Sequence, residues 1–173
     1  MSRISANMWL GGPRQTQAAT SEKIDRNVGG ADYHMQLSGS CDIVGDDDAE
    51  AIRQCRRLLS YLPQNFRQAP PALENSDDPR RTVNNLVDIV PDEYDQTYDM
   101  HRVIEQLVDN GDYFEVKDEY AKNLITCFAR FDGDVVGIVA NNPQYPGSIL
   151  EINACDKYYR FLQTLDAYNI PLV

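Results

Sequence analysis

The loop ANNPQYPGS, residues 140–148, combines amide side chains, prolines and a glycine but contains no acid, base or thiol. It directly follows the apolar run DVVGIV, which is typical of a buried strand. Pro143 and Pro146 stiffen such a loop, and Gly147 allows a ligand to approach the backbone closely. Since the loop has no reactive side chains, any chemistry it supplies would come from its backbone groups. The alternative is that proline and glycine only shape a connector.

The residue types that usually hold metals or act as nucleophiles are few and scattered. The four cysteines form no C-x-x-C pair, and neither histidine has a His or Cys three or four positions away. Zinc ribbons and dithiol redox sites need such pairs, so the sequence predicts reduced packing cysteines and no metal site. Residue types alone leave a Cys–His nucleophilic dyad open, and nothing else in the sequence supports one. The residues concerned are Cys41, Cys55, Cys127, Cys155, His34 and His101.

Composition and charge narrow the class of protein. The 173 residues include 42% hydrophobic and 25% charged residues, which is ordinary for a globular chain. The net charge of -11 gives no cationic excess to displace counterions, so we expect no nucleic-acid partner.

No apolar run has the roughly 18–20 residues that a membrane span needs. The N-terminus, MSRISANMWLGGP, lacks the apolar core of a signal peptide, so the sequence predicts a cytoplasmic protein without a membrane partner.

The first strong helix signal is GDDDAEAIRQCRRLLSYLP. The acids of residues 46–48 are placed to cap a helix and to favour its dipole, and Pro63 ends the pattern. One apolar stripe contains Ala51, Ile52, Cys55, Leu58, Leu59 and Leu62. The proline-rich stretch from Pro63 to Arg81 has no periodicity and predicts an extended connector.

The second half of the chain alternates helix and strand patterns. YDMHRVIEQLVDNG predicts a helix capped by Asp99, with His101 as a helix-surface residue. NLITCFARFDGDVVGIVA predicts a β-hairpin that turns at Asp132-Gly133. EINACDKYYRFLQTLDAY predicts another helix, with an apolar face of Ala154, Tyr158, Phe161, Leu162 and Leu165. NIPLV then starts a strand, which indicates a right-handed parallel crossover. A chain that stops there resembles the middle of a larger unit.

Several stretches, in this order, resemble the carboxyltransferase (beta) subunits of biotin-dependent acyl-CoA carboxylases such as propionyl-CoA carboxylase. They are MWLGGPRQTQAAT, VGGADYHMQLSGSCD, RRLLSYLP, YDMHRVIEQLVDNGDYFEVKDEYAKNLITCFARFDGDVVGIVANNP and GSILEINACDKYYRFLQTLDAYNIPLV. The resemblance covers nearly the whole chain, and YAKNLITCFARFDGDVVGIVANNP with the following helix is its most specific part.

The resemblance implies an α/β fold of the crotonase type, also called ClpP/crotonase-like, built from strand–strand–helix units. Only part of that fold is expected in this chain. Residues 1–66 would be the C-terminal part of the acyl-CoA-binding domain, residues 67–82 a linker, and residues 83–173 the N-terminal part of the biotin-binding domain.

The chemistry implied by the resemblance is transfer of a carboxyl group from carboxybiotin to the alpha carbon of a short-chain acyl-CoA. In the family, paired backbone N–H groups stabilise the thioester enolate oxygen and the biotin ureido oxygen, so no side-chain acid or base is needed. The resemblance places the loop Asn141, Asn142 and Pro143 on the biotin side. Backbone N–H groups of Gly147, Ser148 and Ile149 would point at the ureido oxygen.

The resemblance also implies partners and limits. Biotin would be carried on a partner carrier domain, so the expected partners are a biotin carboxylase or biotin carboxyl carrier subunit and acyl-CoA, within a homo-oligomer. The family's glycine-rich oxyanion segments would lie before Met1 and after Val173, so the chain alone is expected to be inactive. Two alternatives stay open: a carboxyltransferase subunit of a biotin-dependent acyl-CoA decarboxylase, and a non-catalytic assembly module or truncated product.

Overall fold

The computed structural model describes residues 1–93, 95–145 and 150–173 of the chain. By internal contacts the chain divides into two compact units, Met1–Arg56 and Arg57–Val173. The described helices are α1 (Pro13–Thr20), α2 (Ala31–Gln36), α3 (Asp48–Leu59), α4 (Leu86–Ile89), α5 (Met100–Leu107) and α6 (Ile152–Ala167), with 3₁₀ turns at Arg26–Gly29 and Asp109–Gly111. The strands are β1 (Tyr113–Glu115), β2 (Leu124–Phe131) and β3 (Asp134–Asn141).

The first unit is helical, and its N-terminus is tied to the segment before α3. The Met1 ammonium donates to the Ile43 carbonyl at 2.6 Å, and the Gly45 N–H donates to the Met1 carbonyl at 2.9 Å. The small core of this unit contains Ala31, Met35 and Cys41.

Helix α3 confirms the capping pattern of the sequence. The carboxylate of Asp47 accepts from the N–H of Glu50 at 2.7 Å, as an N-cap residue does. The predicted apolar stripe forms but is not buried, since Ile52 is 54% exposed and Leu59 is 60% exposed. Periodicity therefore predicts the helix correctly, but it does not say which segment covers the apolar face.

The second unit contains the predicted hairpin. Strands β1, β2 and β3 form an antiparallel sheet in that order, and Phe131 pairs with Asp134 across the turn. Asp132 (φ 51°) and Gly133 (φ 82°) both adopt the left-handed conformation that a tight hairpin turn requires. The N–H of Leu73 donates to the Gly133 carbonyl at 3.1 Å, so the connector of residues 63–81, which contains no helix or strand, packs on this turn.

Both faces of β2 are covered, because alternate residues of a strand point to opposite sides. On one face Ile104 and Val108 of the α5 region pack with Ile125, Cys127, Ala129, Val136 and Ile138. On the other face the Phe128 ring meets the Phe161 ring of α6 edge to face, with centroids 5.1 Å apart. Gly137 of β3 leaves room for Leu165 of α6, whose side chain occupies the space that a Cβ would fill.

The chain returns to the sheet after α6. Gly137 and Leu172 form a parallel bridge, with the Val173 N–H donating to the Gly137 carbonyl at 2.8 Å. The predicted order of strand, loop, helix and parallel strand is therefore confirmed. Among the described residues, no helix is both long enough and apolar enough to cross a membrane.

Candidate functional site

The loop singled out in the sequence follows β3 and leads to α6. The structure describes it from Asn142 to Tyr145 and again from Leu150. Asn141 ends β3 with its side chain exposed, and Pro143 is half-buried. Gly147, Ser148 and Ile149 lie outside the described residues, so the donor role assigned to their N–H groups stays a prediction.

Asn142 is fully buried, and its polar groups are used inside the protein. Its Oδ1 accepts from the N–H of Met100 at 3.2 Å and from the N–H of Gln144 at 3.3 Å. Its backbone N–H donates to the Asn123 carbonyl at 2.9 Å, and its carbonyl accepts from the Tyr145 N–H at 3.2 Å. The side chain of Asn142 therefore shapes the loop and ties it to the start of α5, and it is not presented to a ligand.

The start of α5 carries a cluster of charged groups. Asp99 caps the helix as predicted, accepting from the N–H of His101 at 3.0 Å. The His101 ring lies between two carboxylates, with Nδ1 2.6 Å from Asp99 Oδ1 and Nε2 2.8 Å from Glu115 Oε2. The Tyr113 ring stacks on the imidazole with centroids 6.3 Å apart. His101 is thus half-buried and bridges α5 to β1, which differs from the surface position predicted from the sequence.

The two carboxylates control the charge of His101. The hydrogen bond to Glu115 raises its pKa, burial lowers it, and the bond to Asp99 raises it again, so that the pKa reaches about 9. Burial raises the pKa of Asp99, but the side-chain and backbone hydrogen bonds from His101 outweigh this and leave the pKa lowered. The cluster therefore holds an imidazolium at neutral pH.

Lys157 of α6 is a second buried cation, only 1% exposed. Its Nζ donates to the carbonyl oxygens of Lys117 at 2.8 Å and Tyr120 at 2.9 Å. Burial lowers the pKa of Lys157 to about 8, although the nearby charge of Glu115 and Asp118 opposes this. The segment that receives the ammonium turns sharply, with positive φ at Lys117 (58°) and Ala121 (44°).

Sequence reasoning missed Lys157, although a signal was present. Position 157 lies on the same face of α6 as the buried residues Ala154, Phe161 and Leu165. A lysine on an apolar helix face either extends to solvent or finds buried oxygen partners. The described residues also contain no cluster of three or more His, Cys, Asp or Glu side chains arranged to hold a metal ion.

An open cleft of about 390 Å³ lies beside the loop and the α5 cap. Gln144 of the loop and Asp99 of the cap line it, with Tyr98 and Arg102 next to them. Its wall therefore offers both hydrogen-bond donors and acceptors, and no thiol is among the lining residues that the structure describes.

Comparisons with known proteins place these features in a family. The family model described as "Carboxyl transferase domain" matches residues 1–173. The alpha subunit of methylmalonyl-CoA decarboxylase from Veillonella parvula is 41% identical over 174 residues, which covers the whole chain and 34% of that protein. The carboxyltransferase subunit of propionyl-CoA carboxylase from Haloferax mediterranei is 39% identical over 174 residues, again the whole chain and 34% of that protein. The chain thus spans about a third of the length of the curated relatives it matches.

A solved structure of transcarboxylase 12S, described as a hexamer assembly with hydrolysed methylmalonyl-CoA bound, superposes with a TM-score of 0.91. The two chains are 41% identical, and the match covers 99% of this chain and 33% of the other. The crotonase-type α/β fold predicted from the sequence is therefore confirmed, as is the resemblance to acyl-CoA carboxyltransferases. The chain belongs to the carboxyl transferase domain family.

Proposed function

We propose that the chain forms part of the carboxyltransferase component of a biotin-dependent acyl-CoA carboxylase. The reaction would move a carboxyl group from carboxybiotin to the alpha carbon of a short-chain acyl-CoA. The observation that carries the proposal is the match of the whole chain, at 41% identity and a TM-score of 0.91, to transcarboxylase 12S. Methylmalonyl-CoA is named as a ligand of a second transcarboxylase 12S structure, and it is an acyl-CoA of this class.

The described part of the loop after β3 supports this proposal. A biotin ureido ring is neutral and is recognised by hydrogen bonds, and the described part of the loop offers amides and backbone groups without a formal charge. Asn141 and Pro143 would face the biotin, while Asn142 would act through the loop conformation because its side chain is buried. Backbone N–H groups of Gly147, Ser148 and Ile149 would be the donors to the ureido oxygen. Bound on its carrier, biotin supplies the carboxyl group.

The domain assignment and the partners belong to the same proposal. Residues 1–66 would contribute to the acyl-CoA side, residues 83–173 to the biotin side, and residues 67–82 would join them. A biotin carboxylase or biotin carboxyl carrier subunit would deliver the carboxyl group. We place the complete protein in the cytoplasm as a homo-oligomer, which the hexamer assembly named for transcarboxylase 12S supports. The 173-residue chain by itself would give no turnover.

A second candidate is the reverse direction, as part of a biotin-dependent acyl-CoA decarboxylase. The observation that favours it is the 41% identity to the methylmalonyl-CoA decarboxylase subunit of Veillonella parvula, against 39% to the propionyl-CoA carboxylase subunit of Haloferax mediterranei. Both directions use the same exchange between an acyl-CoA and biotin. A non-catalytic assembly role is the outcome if no exchange occurs.

The test is transfer of a labelled carboxyl group from methylmalonyl-CoA to free biotin by a complete carboxyltransferase that contains this chain. Labelled carboxybiotin is expected if the chain serves either direction. The net reaction of the complete enzyme then separates the two: carboxylation of an acyl-CoA favours the carboxylase, and net decarboxylation of methylmalonyl-CoA favours the decarboxylase.

A further inference from the structure

The cluster around His101 joins three elements that meet at the start of the loop. Glu115 belongs to β1, Asp99 and His101 to the cap of α5, and Asn142 directly follows β3. A carboxylate only accepts hydrogen bonds, so a ring held at 2.6 Å and 2.8 Å by two carboxylates donates from both nitrogens. When both carboxylates are ionised, this geometry corresponds to the imidazolium form of His101.

The same carboxylate that holds His101 also faces the loop. Asp99 Oδ1 lies 3.5 Å from Asn142 Nδ2, and the next residue, Met100, donates its N–H to Asn142 Oδ1 at 3.2 Å. Asn142 Oδ1 also accepts from the N–H of Gln144 at 3.3 Å, and the backbone carbonyl of Asn142 accepts from the N–H of Tyr145 at 3.2 Å. A continuous set of hydrogen bonds thus runs from Glu115 through His101 and Asp99 to Asn142 and the loop backbone.

We propose that His101 is a positioning residue, which as an imidazolium fixes the Asp99 cap and through Asn142 sets the conformation of the loop at Gln144 and Tyr145. This inference rests on the proposed function, in which that loop faces biotin. His101 reaches the loop through Asp99 and Asn142, so its effect is indirect. Loss of the ring charge would release the cap and loosen the loop.

Titratable groups from two elements face the His101 ring. Asp99 comes from its own helix cap, and Glu115 and Tyr113 come from β1. Behind Glu115, Cys127 of β2 and Lys157 of α6 lie within electrostatic range. The two carboxylates dominate and raise the pKa of His101, while burial of the ring opposes them. The loop backbone at Gln144 and Tyr145 is therefore expected to be held in place at neutral pH and to loosen as pH rises through about 9.

The test is backbone amide exchange at Gln144 and Tyr145, expressed as protection factors and measured on the 173-residue chain. His101→Gln removes the charge, and we expect protection at these two amides to fall about tenfold at neutral pH. His101→Arg keeps a cation that can bridge carboxylates, so protection should be restored and should no longer depend on pH. The matched control is His34→Gln at the other histidine, whose ring hydrogen-bonds to Ser38 and to the Met8 carbonyl in the first unit.

A merely structural role predicts a different result. General destabilisation would lower protection in β2 and β3 together with the loop, whereas positioning lowers it in the loop alone. Wild-type protection factors at Gln144 and Tyr145 in the His101→Gln chain would overturn the inference. If that variant does not fold, the same protection factors are measured in the wild-type chain as a function of pH. Protection that stays constant from about pH 7 to about pH 10 would also overturn the inference.

Exchange and catalysis fail separately. Suppose that protection falls locally in the His101→Gln chain but the complete wild-type enzyme transfers no carboxyl group. This result would keep the positioning role and reject the proposed function. Carboxyl transfer with unchanged loop protection would keep the function and reject the positioning role. When both hold, the His101→Gln enzyme should show a raised KM for biotin that the His101→Arg enzyme does not share.

Discussion

The Nζ of Lys157 lies 2.8 Å from the backbone carbonyl oxygen of Lys117, inside the protein. The ammonium also donates to the Tyr120 carbonyl at 2.9 Å, so one side chain of α6 satisfies two carbonyls of the turn between β1 and β2. Lys117 itself has a positive φ of 58°, a conformation that costs energy in a residue with a Cβ. The buried ammonium therefore stabilises a turn that its own sequence does not favour.

Replacing Lys157 with Met tests this arrangement. The two carbonyls would lose their donor, and the free energy of unfolding at neutral pH should fall by about 1–3 kcal/mol. Urea titration of the chain measures the change. Lys122→Met is the matched control because Lys122 is exposed, and it should leave the midpoint nearly unchanged. Equal midpoints for the two variants would show that the Lys157 contacts contribute nothing.

Lys157 and His101 should change the free energy of unfolding in opposite directions as pH rises. The pKa of Lys157 falls from 10.5 to about 8 in the folded state, so the unfolded chain binds the proton more strongly between these values. This group therefore makes the free energy of unfolding rise with pH across that window. The pKa of His101 rises from 6.5 to about 9, so its contribution is full below pH 6.5 and is lost as pH rises through about 9.

Unfolding curves of three chains separate the two contributions. In the wild type, His101 makes the free energy of unfolding decline between pH 6.5 and about 9, and His101→Gln should remove this decline. Lys157 makes the free energy of unfolding rise between about pH 8 and pH 10.5, and Lys157→Met should remove this rise. Variants whose pH profiles run parallel to the wild type would contradict the charge states described for both residues.

Alanine substitutions at two glycines, one of them in the hairpin turn, should differ strongly in their effect on the free energy of unfolding. A Cβ at Gly133 would collide with the Leu73 carbonyl oxygen, and its φ of 82° disfavours any other residue. Gly133→Ala should therefore lower the free energy of unfolding by about 1–3 kcal/mol. At Gly12, the N-cap of α1, φ is -60° and no described atom lies within 4 Å of the position that a Cβ would take, so Gly12→Ala should cost about 1 kcal/mol or less. Comparable melting temperatures for the two alanine variants would argue against the placement of the connector on the turn.

The cysteines should divide into two pairs in a labelling experiment. Cys55 and Cys155 are exposed, whereas Cys41 and Cys127 are buried. Burial strongly raises the pKa of Cys127, which suppresses the reactive thiolate. A thiol reagent should label the exposed pair rapidly in the native chain and the buried pair only after denaturation, as peptide mapping would show. Rapid labelling of Cys127 without denaturant would contradict the packing of β2 between α5 and α6.

The sequence predicts the local elements of the second unit well because their signals are local. Asp132-Gly133 occupies the two left-handed positions of a hairpin turn, and Asp99 caps α5 through its own side chain. The return to a parallel strand follows from the order of elements and is confirmed by the bridge between Gly137 and Leu172. Each of these features depends on residues that are close in sequence or on simple chain topology.

The polar interior could not be predicted in the same way. Lys157 is buried because two carbonyls of a distant turn meet it, and that turn depends on positive φ at Lys117 and Ala121, which are not glycines. His101 becomes a bridging cation only when β1 places Glu115 beside it, 14 positions along the chain. Long-range pairing of this kind leaves no periodic pattern in the sequence.

The loop after β3 shows the same division. Its lack of acids, bases and thiols is visible in the sequence, and it directs attention to the backbone. The sequence does not reveal that Asn142 is fully buried or that it joins the loop to the cap of α5. Two of its hydrogen-bond partners, Met100 and Asn123, are distant in sequence, whereas Gln144 is near it in the loop.

Carboxyl transfer by a chimera tests most directly whether this chain serves a biotin-dependent carboxyltransferase. The chain would replace the matching segment of transcarboxylase 12S, to which it is 41% identical with a TM-score of 0.91. The assay follows label from the carboxyl group of methylmalonyl-CoA into free biotin, with the isolated chain as the control. We expect a hexameric chimera that transfers label and an isolated chain that does not. A chimera that fails to assemble, or that assembles without transferring label, would contradict this expectation.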